Sequence, residues 1–395
     1  MKLHLHIGPG HHEKILMEQL QKNEVSFSYS NYYPKYQFGT VEGNVDQVLH
    51  ASKTYEIVKY LTWGISNKFK SLRKQNKHYM VTYPLYDKLT ANLLVDDTAL
   101  AFCWAQVSLH TIKKAKRLGK MAVLDYPIPH IGTWMNLLEE EAALNKTGAL
   151  HSQFSPGMVD RMIKEIECAD YISVPSEFVK NSFIDNGVDE SKLIFNPYGI
   201  DSGHFNPHHY NLEEARAGKK IKVVFVGSIE FRKGVQYLLD AISAMNPDSI
   251  TLHLIGTVHE DFRALQEKYK QHAHIKWIGQ LGRPQVAEEM ATADVMVMPS
   301  ILEGLSLTIL ECMASGTPVI STTNAGGLGV ITDEEDGWII PIRNAEAIRT
   351  RLEWCINNKE TLAEMGQLAR EKILSNYDHK HYGQRFINKV YSLIN

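Results

Sequence analysis

The chain has 395 residues, 44% of them apolar, with 42 Lys plus Arg against 45 Asp plus Glu and a formal net charge of −3. That balance excludes disorder, collagen and small disulfide scaffolds, and the length accommodates two or three domains with cores of their own. No apolar run approaches the ~18 residues of a membrane-spanning helix, and the first residues lack the continuous apolar core of a secretory signal, so a cytoplasmic protein is expected.

Short β-rich runs alternate with helical patterns along almost the whole chain, the pattern of parallel α/β sheets with helical crossovers. The first series opens with LHLHI, a turn holding Gly8, Pro9 and Gly10, and a helix-like stretch from about His12. It continues through HYMVTYP, TALAFCW, MAVLDYP, DYISVPS and KLIFNP. A polar stretch separates it from a second series, IKVVFVG, TLHLIG, HIKWIG, DVMVMPS, PVIST and GWIIP. In the tail, Tyr382, Phe386, Val390, Tyr391 and Leu393 fall near a helical period, which predicts a packed terminal helix. The expected division is a first domain at 1–202, a linker at 203–220, a second domain at 221–377 and a terminal helix at 378–395 crossing back to the first domain. In doubly wound sheets ligands bind beyond the carboxyl ends of the strands, so two facing domains predict a cleft.

The four cysteines (Cys103, Cys168, Cys312, Cys355) have no short spacing, which argues against a zinc ribbon or a redox pair. His4, His6, His11 and His12 cluster, yet no carboxylate-rich or paired-His helix completes a ligand set, so no metal is expected. Charge is uneven: residues 1–120 hold 17 basic and 9 acidic side chains, residues 121–200 hold 5 and 12. Two basic groups, Lys68 to Lys77 and Lys113 to Lys120, are spaced to gather on helix faces and suit peripheral contact with an anionic membrane. Solvated helix faces are the blander reading of both. Nucleic acid is not an expected partner, because the overall charge is negative.

The stretch DVMVMPSILEGLSLTILECMASGTPVIST reads as buried strand, loop, helix, tight turn, buried strand. Free amides of about Leu305 to Thr308, here Leu305, Ser306, Leu307 and Thr308, with the positive end of the helix dipole, suit a diphosphate, and Gly304 lets the backbone approach it. Glu303 precedes the helix and Glu311 lies within its apolar face, where an unpartnered charge costs several kcal/mol and a ligand hydroxyl pair is one solution. From Leu305 to Glu311 the helix advances about 9 Å at 1.5 Å per residue. After VVFVG, Arg232 and Lys233 stand at a strand end, a planar fork and a point charge for phosphate oxygens.

Together with VPSEFVKNSF, NPYGID, FVGSIEFRKGVQYLLDAI, LHLIG and WIGQLGRPQVAEEMATADVMVMPS, these segments resemble glycosyltransferase family 4 over roughly residues 165–390. The resemblance implies the GT-B fold, an α/β architecture of two facing Rossmann-like doubly wound domains with an interdomain cleft. It implies donor-sugar contacts from Glu303, ribose contacts from Glu311, diphosphate contacts from Arg232 and Lys233, and a loop near the nucleoside at Gly256 and Thr257. In MAVLDYPIPH, His130 resembles the family's catalytic-site histidine. The first loop supplies acceptor or loop candidates in Gly8, Gly10 and His11, with His6, His12 and Glu139 to Glu141 as further acceptor-pocket linings. The chain departs from the family at Ser228, where a basic residue is common, at Gly326-Gly327, which lacks a following acid, and at Pro9, which removes an amide donor.

The implied activity is that of a retaining, metal-independent hexosyltransferase-type enzyme. It would move a sugar from a nucleoside diphosphate sugar to a hydroxyl of a glycan or glycolipid acceptor in bacterial cell-surface polysaccharide or lipid synthesis. No cofactor beyond the donor substrate is expected, and no Asp-x-Asp triplet is present for a metal clamp. Two alternatives stay open: a nucleotide-sugar epimerase or hydrolase of the same fold, and a non-catalytic sugar-nucleotide binding protein.

Overall fold

The computed structural model describes residues 2–7, 12–31, 45–50, 79–92, 94, 96–147, 154–216, 218 and 220–394. Two parallel sheets organise the chain. The first comprises β1 (Lys2–Ile7), β2 (Ser26–Asn31), β3 (Val45–His50), β4 (Leu100–Trp104), β5 (Met121–Asp125), β6 (Tyr171–Val174) and β7 (Leu193–Phe195), in the order β3-β2-β1-β4-β5-β6-β7. The second comprises β8 (Ile221–Val226), β9 (Ile250–Ile255), β10 (Ile275–Gly279), β11 (Val295–Met298), β12 (Val319–Thr322) and β13 (Gly337–Ile340), in the order β10-β9-β8-β11-β12-β13. Strand order reverses between β1 and β4 and between β8 and β11, and such switch points open crevices at strand carboxyl ends. The central strands read as continuous apolar runs because both faces are covered: every residue of β4, β11 and β12 is buried.

Three elements of the first domain differ from the sequence reading: one helix that reads as a strand, and the strands β2 and β3, which lie outside the runs named above. HYMVTYP, read as a strand, lies across the start of the helix Tyr79–Ala91. The buried residues Thr82, Tyr83, Tyr86, Asp87, Thr90 and Ala91 recur every three to four positions, a helical period that its first residues alone do not reveal. Strand β2, SFSYSN, went unread because its buried serines break the apolar signal; Ser28 and Ser30 are buried against histidines of β1. Within the stretch read as a linker, Phe205 is buried, and Arg216 donates to the Ala291 carbonyl at 2.6 Å and to Thr317 Oγ1 at 3.0 Å.

The chain crosses between the domains twice, side by side. The Ile200 amide donates to the Tyr377 carbonyl at 2.9 Å, and the His379 amide donates to the Ile200 carbonyl at 3.0 Å. Beyond that bridge the helix His379–Ile394 lies on the first-domain helix His12–Lys22, with Tyr382, Phe386, Ile387 and Val390 buried. Phe386 meets Phe102 edge to face at 4.7 Å between ring centres. A Cβ on Gly383 would stand 2.3 Å from Gln19 Cβ, so the two helices touch at that glycine. Burying each ring contributes about 2–3 kcal/mol, which anchors the terminal helix on the first domain.

Candidate active site between the two domains

The carboxyl end of β8 turns at Gly227 into a short 3-10 turn, Phe231–Lys233, and then the helix Val235–Ser243. Gly234 adopts φ +66°, and a Cβ there would lie 1.9 Å from the Pro299 carbonyl oxygen, so only glycine lets this turn press on the end of β11. Hydrogen bonds lock the two loops: the Ile301 amide donates to the Arg232 carbonyl at 2.9 Å, and Arg232 NH1 donates to the Leu302 carbonyl at 3.0 Å. Their charged side chains converge. Arg232 NH1 and Lys233 Nζ each stand 2.6 Å from Glu303 Oε1, and Arg232 NH2 stands 2.6 Å from Glu230 Oε1. Burial pushes the Glu303 carboxyl up, but Lys233 and Arg232 outweigh it and hold the group below its ordinary range. Burial disfavours the Arg232 cation, and Glu303 and Glu230 more than restore it.

Glu303 sits in a loop pinned on both sides. Its amide donates to the Asn324 carbonyl at 3.0 Å, while Gly326, at φ +87°, lies where a Cβ would come 2.6 Å from Leu305 Cα. On the other side the loop touches the first domain. A Cβ on Gly304 would lie 1.7 Å from the Pro127 carbonyl oxygen, and Ser176 Oγ donates to the Gly304 carbonyl at 2.6 Å. Leu302 is fully buried and belongs to the first domain's apolar cluster, which also holds Tyr126 and Ile131. Pro127 precedes His130 by three residues, so the loop of Glu303 abuts the loop that carries the candidate histidine.

His130 caps the helix Ile131–Leu144: its Nδ1 accepts from the Gly132 amide at 3.2 Å, and its own amide donates to Ser182 Oγ at 2.9 Å. Burial lowers its pKa, with a hydrogen bond to Asn186 acting the other way. An Nδ1 that accepts assigns the proton of the neutral ring to Nε2, which is then a donor.

The remaining candidates fall around this centre. Gly256 follows β9 with φ +142°, and a Cβ there would lie 1.9 Å from the Gly227 carbonyl oxygen; its amide already donates to Gly279. The carbonyl of Thr257, itself exposed, accepts from the Ile229 amide at 2.9 Å. The helix starts at Leu307 with Ser306 as its N-cap. Contrary to the expectation of free amides throughout 305–308, the Ser306 amide donates to the Ala325 carbonyl at 3.2 Å. Leu305 and Ser306 are buried, Thr308 is half-buried and Leu307 is exposed. Glu311 stands apart from the ion-paired cluster: burial raises its pKa, opposed by Arg283, whose guanidinium lies 5.5 Å from the centre of the Phe205 ring.

Two acceptor-side expectations are corrected. His6 is buried, with Nδ1 2.7 Å from Ser30 Oγ, Nε2 2.8 Å from the Val107 carbonyl and its ring stacked on Tyr86. Glu141 is buried against the second domain, bound to Gln236, Tyr237 and Arg343, and lines no open acceptor pocket. Gly8, Gly10, His11 and Lys68 to Lys77 lie outside the described residues, as does the side chain of His12. Among the described residues no group of three or more His, Cys, Asp and Glu is placed to hold a metal ion, and no helix is long and apolar enough to cross a membrane. Sequence reasoning missed Glu230, Ser176 and Arg283. Glu230 is two residues from Arg232 and the most legible of the three, whereas Ser176 acts across the domain boundary and leaves no spacing to detect.

The fold is that of the GT-B glycosyltransferases, two parallel-sheet Rossmann-like α/β domains. Residues 211–372, which include the Arg232, Lys233 and Glu303 cluster, match the family model of the glycosyl transferases group 1 and form a domain of that kind. WcaL of Salmonella typhimurium, named as a glycosyltransferase of colanic acid biosynthesis, is 25% identical over 205 residues, 49% of this chain and 50% of its own. EpsD of Bacillus subtilis, also named as a glycosyltransferase, is 30% identical over 156 residues, 38% of this chain and 40% of its own. The chain thus spans about half the length, or less, of these curated relatives. Anabaena HepE, solved in complex with UDP, superposes with a TM-score of 0.68 at 14% identity, covering 99% of this chain and 100% of that one.

Proposed function

We propose that the protein is a retaining glycosyltransferase that moves a sugar from a nucleoside diphosphate sugar to a hydroxyl of a glycan or glycolipid in polysaccharide or lipid synthesis. The observation that carries this reading is the convergence of Arg232, Lys233 and Glu303 on a loop that abuts the His130 loop of the other domain. Departure of the leaving diphosphate concentrates negative charge on phosphate oxygens, and two preoriented cations stabilise that charge more than the ground state. In this reading Glu303 releases the cations to the phosphates and accepts from sugar hydroxyls, Glu311 accepts from the ribose, and His130 Nε2–H donates near the transferred sugar. Gly256 and Thr257 border the nucleoside. No metal is assigned a step, and retention proceeds by front-face displacement.

Relatives named for colanic acid biosynthesis, and a neighbour of the same fold solved with UDP, support a polysaccharide setting and a uridine donor as the first to test. The reading extends to a cytoplasmic protein touching anionic lipid through the helix Leu109–Arg117, where Lys113, Lys116 and Arg117 are exposed. Equal binding to neutral and anionic vesicles at low salt would remove that extension.

The test is a thermal-shift panel of uridine, guanosine, adenosine and cytidine diphosphates and their sugars. A ligand at ~100 times its dissociation constant stabilises by about 2.7 kcal/mol. The stabilising donor is then incubated with and without glycan acceptors. Acceptor-dependent glycoside with the donor's anomeric configuration supports the proposal, whereas an epimerised or merely hydrolysed donor in both arms replaces it with the epimerase or hydrolase reading.

A further inference from the structure

The helix capped by His130 ends in a run of three glutamates that looks, in sequence, like a solvated face. Glu141 is nevertheless fully buried and takes donors from both domains. Its Oε1 accepts from Asn145 Nδ2 at 2.6 Å in its own domain, and from Gln236 Nε2 at 2.6 Å and Tyr237 OH at 2.9 Å in the other. Its Oε2 accepts from Arg343 Nε at 2.7 Å. Arg343 itself is held at φ +59°, with NH1 2.9 Å from Glu140 Oε2 and NH2 donating to the Leu137 carbonyl at 3.2 Å. Gln236 makes the decisive link: the same Nε2 donates to the Phe231 carbonyl at 3.0 Å, the first residue of the turn that carries Arg232 and Lys233.

Resting on the donor reading above, we propose that Glu141 is a positioning residue that holds the cationic turn 231–233 in register with the His130 helix across the closed cleft. Arg343 supplies a counter-charge that Glu141 shares with Glu140, and Asn145 satisfies one oxygen within the first domain. The two further donors come from the helix that follows the turn, so satisfying the buried carboxylate also fixes where that turn stands. Gln236 transmits the constraint through one amide, since its nitrogen bridges the Glu141 oxygen and the Phe231 carbonyl.

The experiment uses the full chain and the variants Gln236→Leu, Glu141→Ala and Glu141→Gln, with UDP and uridine titrated by calorimetry and amide hydrogen exchange followed without ligand. Gln236→Leu and Glu141→Ala are expected to weaken UDP about tenfold, the worth of one hydrogen bond to a charged group, and to spare uridine, which lacks the phosphates that meet the turn. Exchange should rise at residues 231–236 and stay unchanged in β5 and β8. Glu141→Gln keeps an oxygen for Gln236 and Tyr237 and should retain most of the UDP affinity. Unchanged exchange at 231–236 in Gln236→Leu overturns the proposal, and so does an equal loss for UDP and uridine or a rise throughout both sheets, which marks general destabilisation. If the unaltered chain binds no uridine, guanosine, adenosine or cytidine diphosphate, the donor reading fails, and the exchange measurement still decides whether Glu141 holds the turn.

Discussion

Lys233 Nζ and Glu303 Oε1 stand 2.6 Å apart, so the ammonium proposed to meet the phosphates is already paired with a carboxylate. A diphosphate arriving there competes with the Glu303 carboxylate for both Lys233 and Arg232. Glu303→Gln removes the competitor and leaves two partly buried cations without it. The expected outcome is tighter binding of bare UDP by several-fold, about 1 kcal/mol of relieved competition, together with a loss of transfer of at least about 100-fold. Calorimetry and turnover measured on one preparation check both halves, and weaker UDP binding in the variant would contradict the competition.

Replacing the cations has the opposite sign. Arg232→Ala with Lys233→Ala leaves Glu303 buried and unpaired, so binding of UDP and transfer should both be abolished. Stability should fall as well, by about 3–5 kcal/mol before relaxation. Because Glu230 and Glu303 would then repel any phosphate, adding Glu303→Gln should recover stability without recovering binding. Denaturant melts and calorimetry on the double and triple variants separate those effects, and restored UDP binding in the triple variant would argue that the cations are dispensable.

Much of this centre was legible in the sequence because local rules govern its parts. Arg232, Lys233 and Glu303 each lie just after a strand, and parallel topology sends strand ends to one edge, so their meeting follows from the pattern of runs. The long-range pairings were not legible. Glu141 resembles its exposed neighbours until Arg343, some two hundred residues later, is brought against it, and Ser176 gains its role only when Gly304 arrives. The helix Tyr79–Ala91 reads as a strand for a related reason: its aromatic, β-branched start carries strand propensity, and tertiary burial of Tyr83, Tyr86 and Thr90 overrides it. Glu311 stands apart from Glu303, as its place within the helix Leu307–Ala314 implies, whereas its approach to Arg283 leaves no spacing to detect.

Glu311→Ala should weaken nucleoside binding selectively. Burial raises the Glu311 pKa and Arg283 only partly offsets it, so a ribose hydroxyl pair donating to the carboxylate would stabilise its charged form. The expected loss is about tenfold to a hundredfold in affinity for UDP, as for two hydrogen bonds to a charged group, with a smaller loss for the 2′,3′-dideoxy nucleotide. Equal losses for the two nucleotides would remove Glu311 from the ribose site.

Acid stability should report the first sheet. His4 is buried, with Nδ1 2.9 Å from Ser28 Oγ, and its pKa falls to about 3 because burial, then His6, Lys2 and Lys114, oppose a charge there. A histidine whose folded pKa lies below its ordinary 6.5 binds fewer protons folded than unfolded between those values. Its contribution is therefore fully present above pH 6.5 and is lost as the pH falls toward 3, by up to about 1.4 kcal/mol per unit. His4→Gln should flatten that slope in urea melts between pH 4 and pH 6, and an unchanged slope would assign the acid sensitivity elsewhere.

A contact between two backbone segments across the domain boundary gives a direct test of closure. A Cβ on Gly304 would stand 1.7 Å from the Pro127 carbonyl oxygen, and both partners are backbone, so neither can rotate away as a side chain would. Gly304→Ala must push the loop off the first domain, which also stretches the Ser176 Oγ bond to the Gly304 carbonyl and draws Leu302 from its apolar cluster. The apolar cluster that joins β1, β2 and β4 to the second sheet does not contain Leu302, so the variant should stay folded and lose about 2–3 kcal/mol through Leu302 and the lost hydrogen bond. UDP binding within the second domain should survive while transfer falls by at least about 100-fold, since misplacing reacting groups by an ångström has that effect. Normal turnover in Gly304→Ala would mean that the reaction does not pass through the closed arrangement of Gly304 on Pro127.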